Sequence, residues 1–315
     1  MTDLSFELDR YLAIRRSLGH RLKAPEGILR RFVGFAAAQG ANHITTQLFL
    51  QWHGTFGVAS RETWAQRYTA VRLFARWMHG LDSTHELMPA RLMPYRHRRT
   101  RPYIYSEEQI RSILREASAL RSRNGLRGAS YSVLFGLIAV TGLRVSEALS
   151  LNVSEVDLDA GIITVLRGKF GGERLVPIEE TTRHRLWEYA SARDRLFGQQ
   201  SKRFFLDDQG GLLSSTGARY NFANICQKIG LREPQPRHGH GRGPRIHDLR
   251  HTFAVRTLIG WYRSGMDPNR EMIKLTTYLG HTAPAWTYWY IEAVPELLEL
   301  ASKRADTYAS EEDLS

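Results

Sequence analysis

The chain has 315 residues, with 44 Lys plus Arg against 32 Asp plus Glu, a formal charge of +12 and a sequence pI of about 10.0. That length suits about two domains, and the single cysteine, Cys226, excludes an internal disulfide and fits a reducing compartment. No apolar run approaches the ~20 residues that span a bilayer, so membrane insertion is not expected, and the positive excess points to a polyanion, of which nucleic acid is the commonest.

The charge is uneven: residues 1–104 carry 16 basic and 7 acidic side chains, leaving a net +3 for the remainder. The opening stretch MTDLSFELDR has acidic residues and no apolar core, unlike a secretory leader. Ile28, Phe32, Val33, Phe35 and Ala36 recur at helical spacing up to Gly40, and Trp64, Tyr68, Val71, Ala75 and Met78 form a second stripe ending at Gly80. Arg67, Arg72 and Arg76 fall off that stripe, which predicts a helix with one buried face and one guanidinium face. Such a face is either solvated or laid along DNA phosphates. PARLMPYRHRRTRPY, residues 89–103, has three prolines and five arginines, Arg96, Arg98 and Arg99 among them, and reads as a basic linker or strap. These features predict an N-terminal helical domain over 1–92, a basic linker over 93–104 and a second domain over 105–315.

The second domain opens with SEEQI, where Ser106 caps a helix, Gln109 completes a capping box and Glu107 and Glu108 favour the positive helix end. Helical patterning is read through TGLRVSEALSL. GIITVLRG and ERLVPI then alternate as two strands around a turn carrying Lys169. RYNFANICQKIG returns to helix. REPQPRHGHGRGPR, 232–245, reads as a mobile loop in which His238 and His240 lack a further residue at metal-ligand spacing. Near the end, Pro295 is placed to start a short helix carrying Leu297, Leu298 and Leu300, and DTYASEEDLS reads as a loose polar tail.

Four places in the second domain combine: TGLRVSE with Arg144 at a helix start, RGKFGGER with Lys169 at a hairpin tip, RIHDLRH with His247 and Arg250 three apart, and LGHTAPAWTYWY with His281 and Tyr290 nine apart. Each motif alone is ordinary. The ordered set resembles the catalytic domain of the tyrosine recombinases, the phage integrase family, whose pattern is Arg, Lys in a β-hairpin, His-x-x-Arg, Leu-Gly-His and a Tyr nine residues later. The resemblance covers roughly 105–300, and the N-terminal region suits the family's core-binding domain.

The resemblance implies a mainly α fold with a small β-sheet or hairpin: an N-terminal helical, SAM-like core-binding domain plus the catalytic domain. It implies site-specific cutting and rejoining of DNA through a 3′-phosphotyrosyl link, as by an integrase or transposase of a mobile element. In that reading Arg144 and Arg250 clamp the phosphate, where guanidinium forks suit non-bridging oxygens. Tyr290 is the nucleophile, and a phenol of pKa about 10 needs a base or a positive field to act near neutrality. His247 takes its proton, His281 donates to the phosphate, and Lys169 protonates the departing 5′ hydroxyl. Tyr288, seven residues from His281, is assigned to packing with Trp286 and Trp289. Glu147 and Asp248 are expected to hold the arginines. No metal, ATP or other cofactor is implied.

The implied partner is double-stranded DNA bearing inverted repeats, engaged by a homo-tetramer on two duplexes, with sister recombinases as a further option and a cytoplasmic, nucleoid-associated location. The C-terminal segment would either fold back on its own domain or, as the resemblance favours, dock on a neighbouring subunit. Two alternatives stay open: a DNA-binding member without catalysis, and a relaxer like the type IB topoisomerases. Thirty-one positions separate Arg250 from His281, more than is common in the family, and the excess around GWYRSGMDPNRE is expected to enlarge a loop.

Overall fold

The computed structural model describes residues 3–20, 22–93, 101–166, 173–199, 201–233 and 243–312. The chain divides into two compact units, Met1–Arg99 and Thr100–Ser315.

The first unit packs four helices: α1 (Leu4–Ser17), α2 (Lys23–Ala38), α3 (Thr46–Gly54) and α4 (Arg61–His79). Asp3, Thr45 and Ser60 cap α1, α3 and α4 by accepting from backbone N–H groups inside the first turn. The apolar stripes converge on a core that includes Leu8, Leu12, Phe32, Phe49, Trp52, Val71, Phe74 and Met78. A second tie holds the segment after α4. Glu86 accepts from the Thr46 N–H and hydroxyl, both at 2.6 Å, and His85 Nδ1 accepts from the Ile44 N–H at 3.0 Å. α4 does not present a plain guanidinium face. Arg67 lies over the rings of Phe56 and Trp64, at 4.2 and 4.4 Å. Arg72 donates to the Met88 carbonyl at 3.2 Å, while Arg76 is exposed.

The second unit begins with α5 (Glu107–Ser118), opened by the Ser106–Gln109 capping box that the sequence predicts. α5 packs on α6 (Leu126–Thr141), where Gly128 permits close approach: a Cβ there would sit 2.3 Å from the Ser118 carbonyl oxygen. The helical patterning through TGLRVSEALSL is interrupted at Gly142, and Arg144 stands at a helix start as the sequence predicts. Gly142 takes the left-handed conformation (φ 61°), ends α6, and lets α7 (Val145–Ser150) start on a new axis. The strands are β1 (Val156–Asp157), β2 (Ile162–Val165) and β3 (Arg174–Pro177), an antiparallel sheet in the order β1-β2-β3 with Ile163 opposite Val176.

The remaining elements are α8 (Glu180–Phe197), α9 (Ser215–Lys228), α10 (Ile246–Arg263), α11 (Pro268–Leu279), α12 (Ala285–Ala293) and α13 (Pro295–Glu312). α13 is an 18-residue helix, not a short one, and it runs into the stretch read as loose. The excess length between Arg250 and His281 goes into α10 and α11, joined over 264–267, rather than into an enlarged loop. One core gathers around Leu134, Phe135, Ile138, Tyr189, Phe205 and Phe222. A second joins Val255, Leu258, Met272, Leu275 and Leu279 to Tyr290 and Leu297. Each fully buried side chain of this kind contributes about 1.5–3 kcal/mol. Among the described residues, no helix is long and apolar enough to cross a membrane.

Candidate active site

The turn at Gly142 builds the first half of the site. A Cβ at Gly142 would lie 2.6 Å from the Phe253 ring, so glycine is required by space as well as by φ. Two residues on, Arg144 stands at the N-terminal cap of α7. Its backbone N–H donates to Glu147 Oε2 at 2.9 Å, and its guanidinium donates to Glu147 Oε1 and to the Gly280 carbonyl, both at 2.7 Å. From β3, Arg174 forks onto the same carboxylate at 2.7 and 3.2 Å. Glu147 is buried. Burial would raise its pKa, but the Arg174 hydrogen bonds, the Arg144 N–H, the Arg174 charge and the Arg144 guanidinium outweigh it and bring the value down to about 2. The carboxylate is therefore a permanent anchor for two cations.

Arg250, on the first turn of α10, is 1% exposed. Its two terminal nitrogens donate to the carbonyls of Gly142 and Leu279, each at 2.6 Å. Those carbonyls lie at the C-terminal ends of α6 and α11, where helix dipoles favour a cation. Burial, then the charges of Arg144 and Arg174, lower the Arg250 pKa to about 10, with Tyr290 and Glu147 opposing. It remains charged near neutrality.

His247, three residues earlier, keeps solvent exposure while Arg250 turns inward. Packing that removes part of its solvation, then Arg250, Arg245 and Arg144, lower its pKa, an effect that water at its exposed edge weakens. Asp248, buried between them, accepts from the Arg245 backbone N–H at 2.7 Å. It thus caps α10 through Arg245, a different partner from the arginines of the motif. Burial outweighs these bonds and leaves its pKa raised.

Tyr290 is 2% exposed and lies on α12. Its hydroxyl meets Nδ1 of His251 at 2.8 Å. The His251 ring packs on His247, with centroids 4.5 Å apart, and on Trp289 at 5.9 Å. Burial, then His247, Arg250, Arg245 and His281, push the His251 pKa down to about 3. His281 follows the left-handed Gly280 that ends α11; its Nδ1 meets the Thr287 hydroxyl at 2.8 Å, and Thr287 meets Thr276 at 2.9 Å. The His281 and Tyr290 rings stack at 6.5 Å. Tyr288 and Trp286 are not core packing: they are 40% and 48% exposed, and the Tyr288 hydroxyl points to Asn269 at 3.4 Å.

The structure thus brings Arg144, His247, Arg250, His281 and Tyr290 to one place from α7, α10, the turn after α11, and α12. Lys169, Arg96, Arg98, Arg99, His238 and His240 lie outside the described residues. Sequence reasoning missed Arg174, His251 and Thr287. His251 had a visible signal, one helical turn after His247 in RIHDLRH. Arg174 had none, because its partner lies 27 residues away.

The model of the phage integrase family matches residues 104–296. The chain is 38% identical over 304 residues to y4rB of Sinorhizobium fredii, named as an integrase/recombinase, with 95% of this chain and 96% of that protein covered. It is 27% identical over 307 residues to the tyrosine recombinase XerC of Mycobacterium tuberculosis, covering 95% and 97%. Among solved structures, the Tn1549 transposon integrase in complex with transposon right end DNA aligns over 98% of this chain and all of that one, at 16% identity and a TM-score of 0.65. With the motif residues gathered as above and the family match spanning most of the second unit, the chain belongs to the phage integrase family, the tyrosine recombinases.

Proposed function

We propose that this protein is a site-specific DNA recombinase of a mobile element, in which Tyr290 attacks a backbone phosphodiester and becomes linked to its 3′ phosphate. The observation that carries this is the Tyr290 hydroxyl held 2.8 Å from His251, the residue after the buried Arg250, while Arg250 and Arg144 are anchored on neighbouring backbone carbonyls, those of Leu279 and Gly280. A phosphodiester repels nucleophiles, and its pentavalent transition state carries added negative charge. Guanidiniums fixed by Glu147, Gly142, Leu279 and Gly280 are oriented before the substrate arrives, so little reorganisation is needed during reaction.

In this reading Arg144 and Arg250 bind the non-bridging oxygens. His281, oriented by Thr287, donates to the phosphate, and His247, which the motif names as acceptor of the phenol proton, borders the same anion instead, because the Tyr290 hydroxyl meets His251. Lys169 supplies the proton to the departing 5′ oxygen. The phosphotyrosyl ester retains the energy of the broken bond, so a 5′ hydroxyl from another strand reverses the step. The basic residues of the first unit, Arg76 and the strap residues Arg96, Arg98 and Arg99, would contact duplex phosphates. Arg67 and Arg72 would support α4 rather than reach DNA. The working assembly is a tetramer holding two duplexes, each with inverted half-sites. The relative in complex with transposon end DNA supports a DNA substrate of this kind.

The test uses nicked duplexes selected from a randomised pool by binding to the protein, so that a cleaved strand cannot be religated. Wild type should form a covalent protein–DNA adduct in EDTA and without nucleotide, and should exchange strands between two such sites. No adduct would leave a DNA-binding member without catalysis; an adduct with plasmid relaxation but no exchange would indicate a relaxer.

A further inference from the structure

We infer that His251 is a catalytic residue of this site: it accepts the phenol proton of Tyr290 as the tyrosine oxygen bonds to phosphorus. The inference deepens the reading above and rests on it. The geometry is direct. His251 Nδ1 lies 2.8 Å from the Tyr290 hydroxyl, within the range for proton transfer to a positioned base. With Nδ1 as acceptor, the ring proton is on Nε2. α10 holds His251 one turn beyond His247 and next to Arg250, so the base and the phosphate clamp are parts of one rigid element.

The step balances as follows. The Tyr290 oxygen forms its bond to phosphorus while the bond to the 5′ oxygen breaks. The phenol proton passes to His251 Nδ1, and the 5′ oxygen leaves with a proton from Lys169, in the reading above, or from water. In the reverse step His251 returns its proton to the tyrosine as the phosphate moves to a new 5′ hydroxyl.

The electrostatics make this base dependent on its substrate. The groups facing His251 are His247, Arg250 and Arg245 on and before α10, His281 after α11, and Tyr290 with Trp289 on α12. Burial first, and then these histidines and arginines, oppose a further positive charge, so the ring stays neutral and a weak base in the free protein. A phosphodiester seated on Arg144 and Arg250 offsets that field with its own negative charge. The basicity of His251 therefore rises by the charge-based part of its depression when the target is in place, and the phenol stays protonated without it.

The experiment measures single-turnover adduct formation against pH, using the selected nicked duplexes with wild type, His251→Asn and His251→Gln. Asparagine places a carbonyl oxygen near the Nδ1 position, so it can accept the hydrogen bond but cannot carry the proton away. DNA binding by gel shift and a thermal melt establish that each variant is folded, and glutamine serves if asparagine is not. Expected for wild type is a rate that falls on the acid side and levels off near neutrality. Expected for the variants is a loss of about 10²–10⁴-fold at neutral pH with DNA affinity retained. Their residual rate should climb about tenfold per pH unit, because hydroxide must then remove the phenol proton, and added imidazole should restore part of it. A folded variant with the wild-type rate overturns the inference. So does a slow variant that keeps the wild-type pH profile and ignores imidazole, since that marks a purely positional role. Absence of any adduct in the wild type would instead remove the proposed function itself.

Discussion

Glu147 accepts from Arg144 twice, through the backbone N–H at 2.9 Å and the guanidinium at 2.7 Å. One buried carboxylate therefore fixes both where α7 starts and where its first side chain points. Glu147→Gln should lower cleavage by about 10²–10³-fold, as for loss of one oriented donor, while DNA binding stays near wild type. It should also destabilise the protein by about 3–5 kcal/mol, because Arg174 loses its charge partner in a buried place. Single-turnover cleavage and thermal melting check both; a variant with unchanged rate and melting would sink the anchoring role.

The two tyrosines of the TYWY stretch should separate cleanly. Tyr290→Phe is expected to abolish the covalent adduct, and Tyr288→Phe to leave it, because the Tyr288 hydroxyl faces Asn269 on α11. Peptide mapping of the adduct locates the linkage; a phosphorylated Tyr288 would refute the assignment.

Gly142→Ala should be costly for its size. The left-handed conformation alone costs about 1–2 kcal/mol for a residue with a Cβ, and that Cβ meets Phe253 at 2.6 Å. Because the Gly142 carbonyl accepts from Arg250, cleavage should fall along with the melting temperature. Calorimetry and the cleavage assay would show it; a thermally silent substitution would contradict the geometry.

Acid should unfold the catalytic unit earlier than exposed carboxylates alone would require. His251, partly withdrawn from solvent, has a folded pKa of about 3, below the usual value of 6.5, whereas His247 is exposed and adds little. The unfolded chain thus binds protons first, so the His251 contribution is complete above pH ~6.5 and is lost as pH falls toward the folded value. Glu147 adds a second loss between about pH 4.5 and 2. Each 1 kcal/mol lowers the melting temperature of a domain this size by about 2–4 °C. Melts from pH 7 to 4 should slope downward, and less so in His251→Asn; equal slopes would count against a depressed His251.

Thr287→Val removes the hydroxyl that joins His281 to Thr276. Thr287 is fully buried, so the unmade bonds should cost about 1–3 kcal/mol, and the loosened His281 should slow cleavage. Thr287→Ser keeps the hydroxyl and should recover most of the rate. Failure of serine to do better than valine would assign the effect to packing.

Local signals were legible in the sequence, and signals made by tertiary contact were not. The Ser106 capping box, the paired strands and the spacing of His247 and Arg250 are written within a few residues of each other. The helix start at Arg144 was legible, but only the neighbouring Phe253 ring and the Arg250 side chain reveal why the chain must turn at Gly142. Arg174 looked like an ordinary strand residue, since the carboxylate it binds comes from a different element. Arg67 read as a free surface cation because Phe56, eleven positions away, supplies one of the rings that cover it. The spacing of His251 from His247 was legible, but nothing local shows that Tyr290, 39 residues away, lies against it.

The short helix α12 sets an angular tolerance on the chemistry. Successive residues of a helix are turned by ~100° about its axis. One residue inserted between Pro284 and Tyr290 would swing the phenol about a quarter of a revolution or more away from His251, with every functional group still present. The interval from His281 to Tyr290 is therefore a phase as much as a distance. An inserted residue there would yield a folded protein that grips its substrate and leaves it intact, and slack introduced before Pro284 would be far less harmful.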